Sequence, residues 1–126
     1  MLNRSLVIAA ALGVAVAASG SAAAADVAAG EKVFKKCKAC HTIEAGGKNK
    51  IGPNLAGIFG RQAALVEGYK YSKALRRSEI TWDDANMTEW LASPKKMLKG
   101  NKMAFPGLRN EEDIVNVIAY MKEAGG

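Results

Sequence analysis

The sequence predicts a small all-α domain: three main helices plus short helical turns and long loops wrapped around one bound group. Three observations predict it. Ile114, Val117, Ile118 and Met121 recur at i, i+3, i+4 and i+7, the spacing of one buried helical face. No five-residue run alternates cleanly between apolar and polar residues, as a half-buried strand would. The stretches from Thr42 to Leu55 and from Gly100 to Gly107 carry turn signals and no periodicity. Loops this long are unusual in a compact domain unless they enclose something.

Taken in order, the chain opens on a segment that does not belong to the fold. Arg4 supplies a positive start, Leu6 to Ala18 is uncharged and apolar, and Ser19 to Ala25 is small enough for a cleavage region. That three-part layout is a secretory signal peptide over residues 1–25, with cleavage after Ala24 or Ala25. The alternative is an uncleaved anchor helix, but the apolar run is shorter than the ~20 residues a span needs. Residues 26–126 then form one domain, small enough that a cofactor would help it build a core. The chain carries 18 Lys+Arg against 12 Asp+Glu, a net charge of +6, which drops to +5 without Arg4.

Asp26 caps a first helix that runs through Gly30, Val33 and Phe34 toward Cys37. Gly46-Gly47 and Gly52-Pro53-Asn54 punctuate the loop that follows, and Gly57 to Gly68 reads as short and irregular. Ser72 to Arg77 allows one or two helical turns. Thr81, with Asp84 three residues on, reads as the start of a helix ending near Ala92. Ser93-Pro94 places a cap before a proline at a first helical position, so another short turn follows. Asn110 caps the last helix, whose first turn holds Glu111, Glu112 and Asp113, where the helix dipole favours carboxylates.

Cys37-Lys38-Ala39-Cys40-His41 holds both cysteines and the only histidine of the chain. Two cysteines three apart, followed at once by histidine, is the pattern on which haem c is attached. The thiols add to the two haem vinyl groups, and the imidazole stands where it can ligate the iron. A structural zinc site needs four Cys/His ligands. A thioredoxin-like redox pair expects a βαβ setting, and a disulfide closing so short a loop would gain little stability. Export agrees with attachment, because thioether formation uses both thiols and leaves none to mispair.

With one histidine present, the iron's second face must take methionine, lysine, water or nothing. Met1 falls in the signal peptide, and Met121 lies on the apolar stripe of the last helix. Met87 is inside a helix, and Met97 follows Pro94 among lysines. Met103 sits in a loop hedged by Gly100, Pro106 and Gly107, from which a thioether can reach a metal without bending a helix. Met103 is the expected second ligand, a pairing that raises the haem potential. Lys36, Lys38, Lys50, Lys95, Lys96, Lys99, Lys102 and Arg109 gather in sequence around the two ligand-bearing segments. They read as a docking ring at the haem edge, and secretion with no binding motif disfavours nucleic acid.

Beyond Cys37 to Thr42, the segments Gly46 to Leu55, Gly60-Arg61, Ile80-Thr81-Trp82, Ser93 to Lys96, Lys102-Met103 and Phe105 follow in an order that covers the whole mature chain. The sequence resembles the class I c-type cytochromes, of the mitochondrial-like or short bacterial cytochrome c2 type. The resemblance implies that Cys37 and Cys40 carry one covalent haem c, with His41 and Met103 as axial ligands. It implies that the Pro53 carbonyl accepts a hydrogen bond from His41, and that Arg61, Tyr71 and Trp82 hold the haem propionates. Two positions depart from the family pattern: Trp90 stands where relatives have Tyr, and Leu75 where many have Asn. The expectation is a drier distal pocket.

The implied function is that of a soluble, monomeric, periplasmic one-electron carrier and not an enzyme. It would shuttle between a membrane quinol-oxidising complex of cytochrome bc1 type and a terminal oxidase or photosynthetic reaction centre. Acidic patches on those partners would meet the basic ring, without stable membrane insertion. The runner-up, an open-site haem enzyme such as a peroxidase, needs a distal acid–base residue, and no second histidine exists for it.

Overall fold

Five helices carry the regular structure in a computed structural model that describes residues 10–14 and 24–126. The predicted signal peptide, residues 1–25, lies for the most part outside the described residues. The helices are α1 (Val27–Lys38), α2 (Lys73–Arg77), α3 (Asp84–Ala92), α4 (Pro94–Met97) and α5 (Glu111–Gly125). There is no strand among the described residues; one isolated antiparallel bridge joins Gln62 to Thr81. The all-α prediction holds, with α1, α3 and α5 as the main helices.

The helices start where short polar side chains can satisfy free N–H groups. Asp26 accepts from the Ala29 N–H at 3.0 Å, and Ser72 from that of Leu75 at 3.1 Å. Ser93 accepts from Lys96 at 3.4 Å, and Asn110 from Glu112 at 2.8 Å. The start of α3 differs from expectation. Its cap is Asp83, which accepts from the Asn86 N–H at 2.7 Å, and not Thr81. Thr81 is engaged in the bridge to Gln62, and its carbonyl takes the Asn86 side-chain N–H at 2.8 Å. That leaves the next extended acidic residue to cap the helix.

The packing of α1 on α5 forms the base of the molecule. A Cβ on Gly30 would lie 2.0 Å from the Asn116 carbonyl oxygen, so the two backbones touch at this crossing. Phe34 and Val117 are fully buried there, and Phe34 packs on Tyr120 with ring centroids 5.2 Å apart. Asn116 is buried without penalty, because its Oδ1 accepts the Asp26 N–H at 2.9 Å. Helix α3 adds Met87 and Leu91 to the same core. The Lys122–Asp84 pair beside it, 2.6 Å apart, is too exposed to add much stability. The remaining wall of the molecule is loop, from residues 39–72 and 98–110.

Replacing Gly30 with Ala forces α1 and α5 apart. The expected cost is about 2 kcal/mol or more, since the clash is with backbone that cannot rotate away. A denaturant melt of the variant beside the parent checks it.

Candidate functional site

The C-terminus of α1 delivers the cysteine–histidine motif. Both the Cys40 and His41 N–H groups converge on the Cys37 carbonyl, at 3.0 and 2.9 Å, in the turn that ends the helix. Cys37, Cys40 and His41 thereby face a cavity of about 390 Å³ between the helices and the loop wall. The two thiols are not joined as a disulfide. Burial first, and the neighbouring Cys40 second, push the Cys37 thiol up to about 11, so it stands protonated.

The His41 ring is fixed on two sides. Its Nδ1 lies 2.7 Å from the Pro53 carbonyl oxygen. A carbonyl only accepts, so Nδ1 carries the proton and Nε2 keeps its lone pair. Burial holds the imidazole below its ordinary pKa, against the opposing pull of the Pro53 hydrogen bond, and so favours the neutral ring. Gly52 lies against the ring: a Cβ there would sit 2.3 to 2.7 Å from three ring atoms. The sequence marked Gly52 only as a turn residue, but the glycine is needed for contact with the imidazole.

The loop that brings Gly52 and Pro53 back is held by Asn54. Its side chain donates to Thr42 Oγ1 at 2.7 Å and to the Glu44 carbonyl at 2.9 Å. The backbone adds Gly52 N–H to Cys40 O at 2.7 Å and Leu55 N–H to Thr42 O at 2.8 Å. The loop is therefore laced to the motif it covers.

Met103 is half-buried and lines the cavity. Asn101, which sequence reasoning passed over, positions it. The Asn101 Nδ2 donates to the carbonyls of Pro94 and Leu98 at 3.0 and 2.9 Å, and its Oδ1 accepts the Met103 N–H at 3.0 Å. The available signal was an Asx residue directly after a glycine. Met87 and Met121 also reach the cavity but belong to helices and to the core; Met97 does not line it.

Arg61, Tyr71 and Trp82 all line the same cavity. Tyr71 Oη accepts the Val66 N–H at 3.1 Å, which leaves its own proton available to another acceptor. Its pKa is raised, chiefly by burial. Trp82 is buried, with Trp90 edge-on at 5.3 Å between ring centroids. Leu75 completes this side.

The wall fits haem c. It is mostly carbon, as a macrocycle requires, and it offers two thiols for the vinyl groups. An imidazole lone pair and a thioether suit iron. Arg61, Tyr71 and Trp82 bring N–H and O–H donors for two carboxylates. Among the described residues no group of three or more His, Cys, Asp and Glu is placed to hold a bare metal ion.

All eight predicted docking cations are exposed. Lys36 and Lys102 line the cavity. Lys50 Nζ donates to the Lys38 carbonyl at 2.8 Å. Lys102 Nζ donates to the Lys70 carbonyl and lies 4.7 Å from the centre of the Tyr69 ring. Lys95, Lys96, Lys99 and Arg109 are exposed but are not on the cavity wall.

The family model described as cytochrome c matches residues 27–125. Cytochrome c-554 of Methylosinus trichosporium is 48% identical over 120 residues, 95% of this chain and 91% of that one. Cytochrome c2 of Blastochloris viridis is 45% identical over 87% of each chain. The solved structure of cytochrome cH from Methylobacterium extorquens superposes with a TM-score of 0.73 at 47% identity, over 78% of this chain and 98% of that one.

Two substitutions test how the site is held. Gly52→Ala displaces the His41 ring and costs about 1–3 kcal/mol in a chemical melt of the holoprotein. Asn101→Ala leaves two carbonyls and the Met103 N–H without their partner, at about 1–3 kcal/mol. Calorimetry of the holoprotein should show that loss.

Proposed function

The chain belongs to the cytochrome c family, electron carriers and not enzymes, whose haem c is held covalently through Cys-x-x-Cys-His; from this we propose that the protein is a diffusible one-electron carrier whose haem iron would be held by two of its side chains. Cys37 and Cys40 would form the thioethers, and the His41 imidazole and the Met103 sulfur would hold the iron. The observation that carries the reading is one cavity wall bearing both a neutral imidazole, fixed on Pro53, and a methionine pinned through Asn101.

Haem c supplies a ferric/ferrous couple, which imidazole–thioether ligation poises at a positive potential. The protein's residues do the rest. Pro53 and Gly52 set the orientation of the imidazole, and Asn101 holds the methionine loop in place. Arg61, Tyr71 and Trp82, which line the cavity, would donate to the propionates. Trp90 and Leu75 make the distal side apolar, with no hydroxyl toward the Met103 sulfur. An ordered water between Trp90 and Met103 would overturn that last point. No second histidine exists for acid–base chemistry on a bound substrate.

The proposed location is the periplasm, reached by removal of residues 1–25. Supporting this, the likeness to cytochrome c-554 spans 120 residues and so runs back into that segment. Among the described residues no helix is long and apolar enough to cross a membrane. The proposed partners are a cytochrome bc1-type donor and an oxidase or reaction-centre acceptor, met by a monomer through the basic ring.

Two measurements decide the reading. The oxidised protein shows a near-infrared methionine-to-iron band that Met103→Ala abolishes while covalent haem remains; a high-spin spectrum in the parent protein would sink the carrier reading. The bimolecular rate with an acidic membrane partner falls about tenfold or more as salt rises from low to physiological. A flat salt profile would remove the docking role of the lysines.

A further inference from the structure

Helix α2 stands between two spaces. Its cap Ser72 and its Leu75 line the large cavity, while Lys73, Arg76 and Arg77 alone line a second recess of about 290 Å³. The two spaces share no residue, and none of these three cations belongs to the basic ring of the sequence analysis. All three are exposed. From Gly68 to Trp82 the chain carries four cations against one carboxylate, Glu79, which is half of its net charge of +6.

Folding does not call for these cations. Ser72 accepts the Leu75 N–H at the start of α2. At its end the Leu75 carbonyl takes both the N–H and the hydroxyl of Ser78, at 3.2 and 2.8 Å. Serines therefore cap both ends, and the helix buries none of its residues. Arginine in a last turn is ordinary, because the helix dipole favours a cation there. Lys73 is placed differently. It is the first residue of α2, at the positive end of the dipole. It also stands three and four residues before Arg76 and Arg77, the spacings at which like charges meet on a helix and repel. Other surface cations find partners: Lys50 and Lys102 reach carbonyls, and Lys122 reaches Asp84. Among the described residues the only ion pair is that of Lys122, so no carboxylate answers Lys73, Arg76 or Arg77.

An anion among the three would turn this repulsion into attraction. Guanidinium groups offer paired N–H donors that match the oxygens of a phosphate, and an ammonium adds a compact point charge. We propose that the outer face of α2 is a binding site for a phosphate group, carried by a soluble phosphate compound or by a lipid headgroup. Arg76 and Arg77 take its oxygens and Lys73 supplies the third charge. The site lies outside the large cavity and does not rest on the carrier reading.

The test uses holoprotein at low ionic strength. Inorganic pyrophosphate is titrated by calorimetry, and vesicles of phosphatidylcholine with phosphatidylglycerol are used in a sedimentation assay. One variant carries Lys73→Gln, Arg76→Gln and Arg77→Gln. A control loses the same charge through Lys32→Gln, Lys35→Gln and Lys48→Gln. All six side chains are exposed, so both variants keep the parent's thermal midpoint. The α2 variant binds about tenfold or more weakly than the parent, while the control stays within about twofold. Lys73→Gln alone, which relieves the repulsion within the helix, still weakens binding about threefold. A difference between the two triple variants with pyrophosphate only assigns the site to a soluble phosphate compound. A difference with vesicles, alone or as well, assigns it to a lipid headgroup. Equal weakening of both triple variants, or no binding of either probe by the parent, would overturn the proposal.

Discussion

The structure depends on one contact, the His41 ring held between the Pro53 carbonyl and the Gly52 backbone. The 2.7 Å hydrogen bond fixes which nitrogen is protonated, and the missing Cβ at residue 52 lets the loop approach the ring face. Both conditions are met by one short segment returning over the end of α1. That return explains why the loop between residues 42 and 55 is so heavily bonded to itself and to the motif. Asn54 and Thr42 hold the loop's shape, and the Gly52 N–H on Cys40 holds its distance from the helix. Any slack in this loop would pass directly to the imidazole.

The second half of the site is built on a separate support. Helices α3 and α4 meet at Ser93-Pro94, where Ser93 caps α4 and its own N–H closes α3 on the Glu89 carbonyl. Asn101 then bonds the end of this short helix and the Met103 backbone at once. The imidazole and the thioether are thus set by independent local networks. What relates the two networks is the helix packing beneath them, with α5 touching α1 at Gly30 and α3 through its core residues. A glycine distant from the cavity therefore governs the spacing of its walls.

Much of this was legible in the sequence because it is local. Asp26, Ser93 and Asn110 cap helices as expected, since a cap needs only a short polar side chain and three following residues. The period of Ile114, Val117, Ile118 and Met121 gave the buried face of α5 for the same reason. Thr81 fails as a cap because a segment distant in sequence pairs with its neighbours: the Ala63 N–H bonds the Ile80 carbonyl and the Trp82 N–H bonds the Arg61 carbonyl, which holds Thr81 in the bridge opposite Gln62. The sequence marks Gly52 only as a turn residue and gives Asn101 no role, because their meaning lies in which atoms the fold brings against them. The sequence also grouped the lysines by proximity along the chain. It did not show that Lys50 and Lys102 are tethered to backbone carbonyls, or that the apolar Ile51 and Leu65 stand at the same cavity.

A cavity walled by fixed loops instead of helices has a consequence for electron transfer. A carrier works best when its two oxidation states share one geometry, so its ligands should meet rigid surroundings. Loops are ordinarily the mobile parts of a protein. Here the two that matter are restrained by side-chain amides that each bridge several backbone groups, Asn54 in one and Asn101 in the other. Amide side chains suit this task because each carries both donors and an acceptor in one plane. The indole pair of Trp82 and Trp90, packed edge-on, gives the cavity wall rings that have few rotamers to exchange. Loops give the chain freedom to wrap a large flat group, and the asparagines and indoles then remove that freedom where the proposed ligands must stay still.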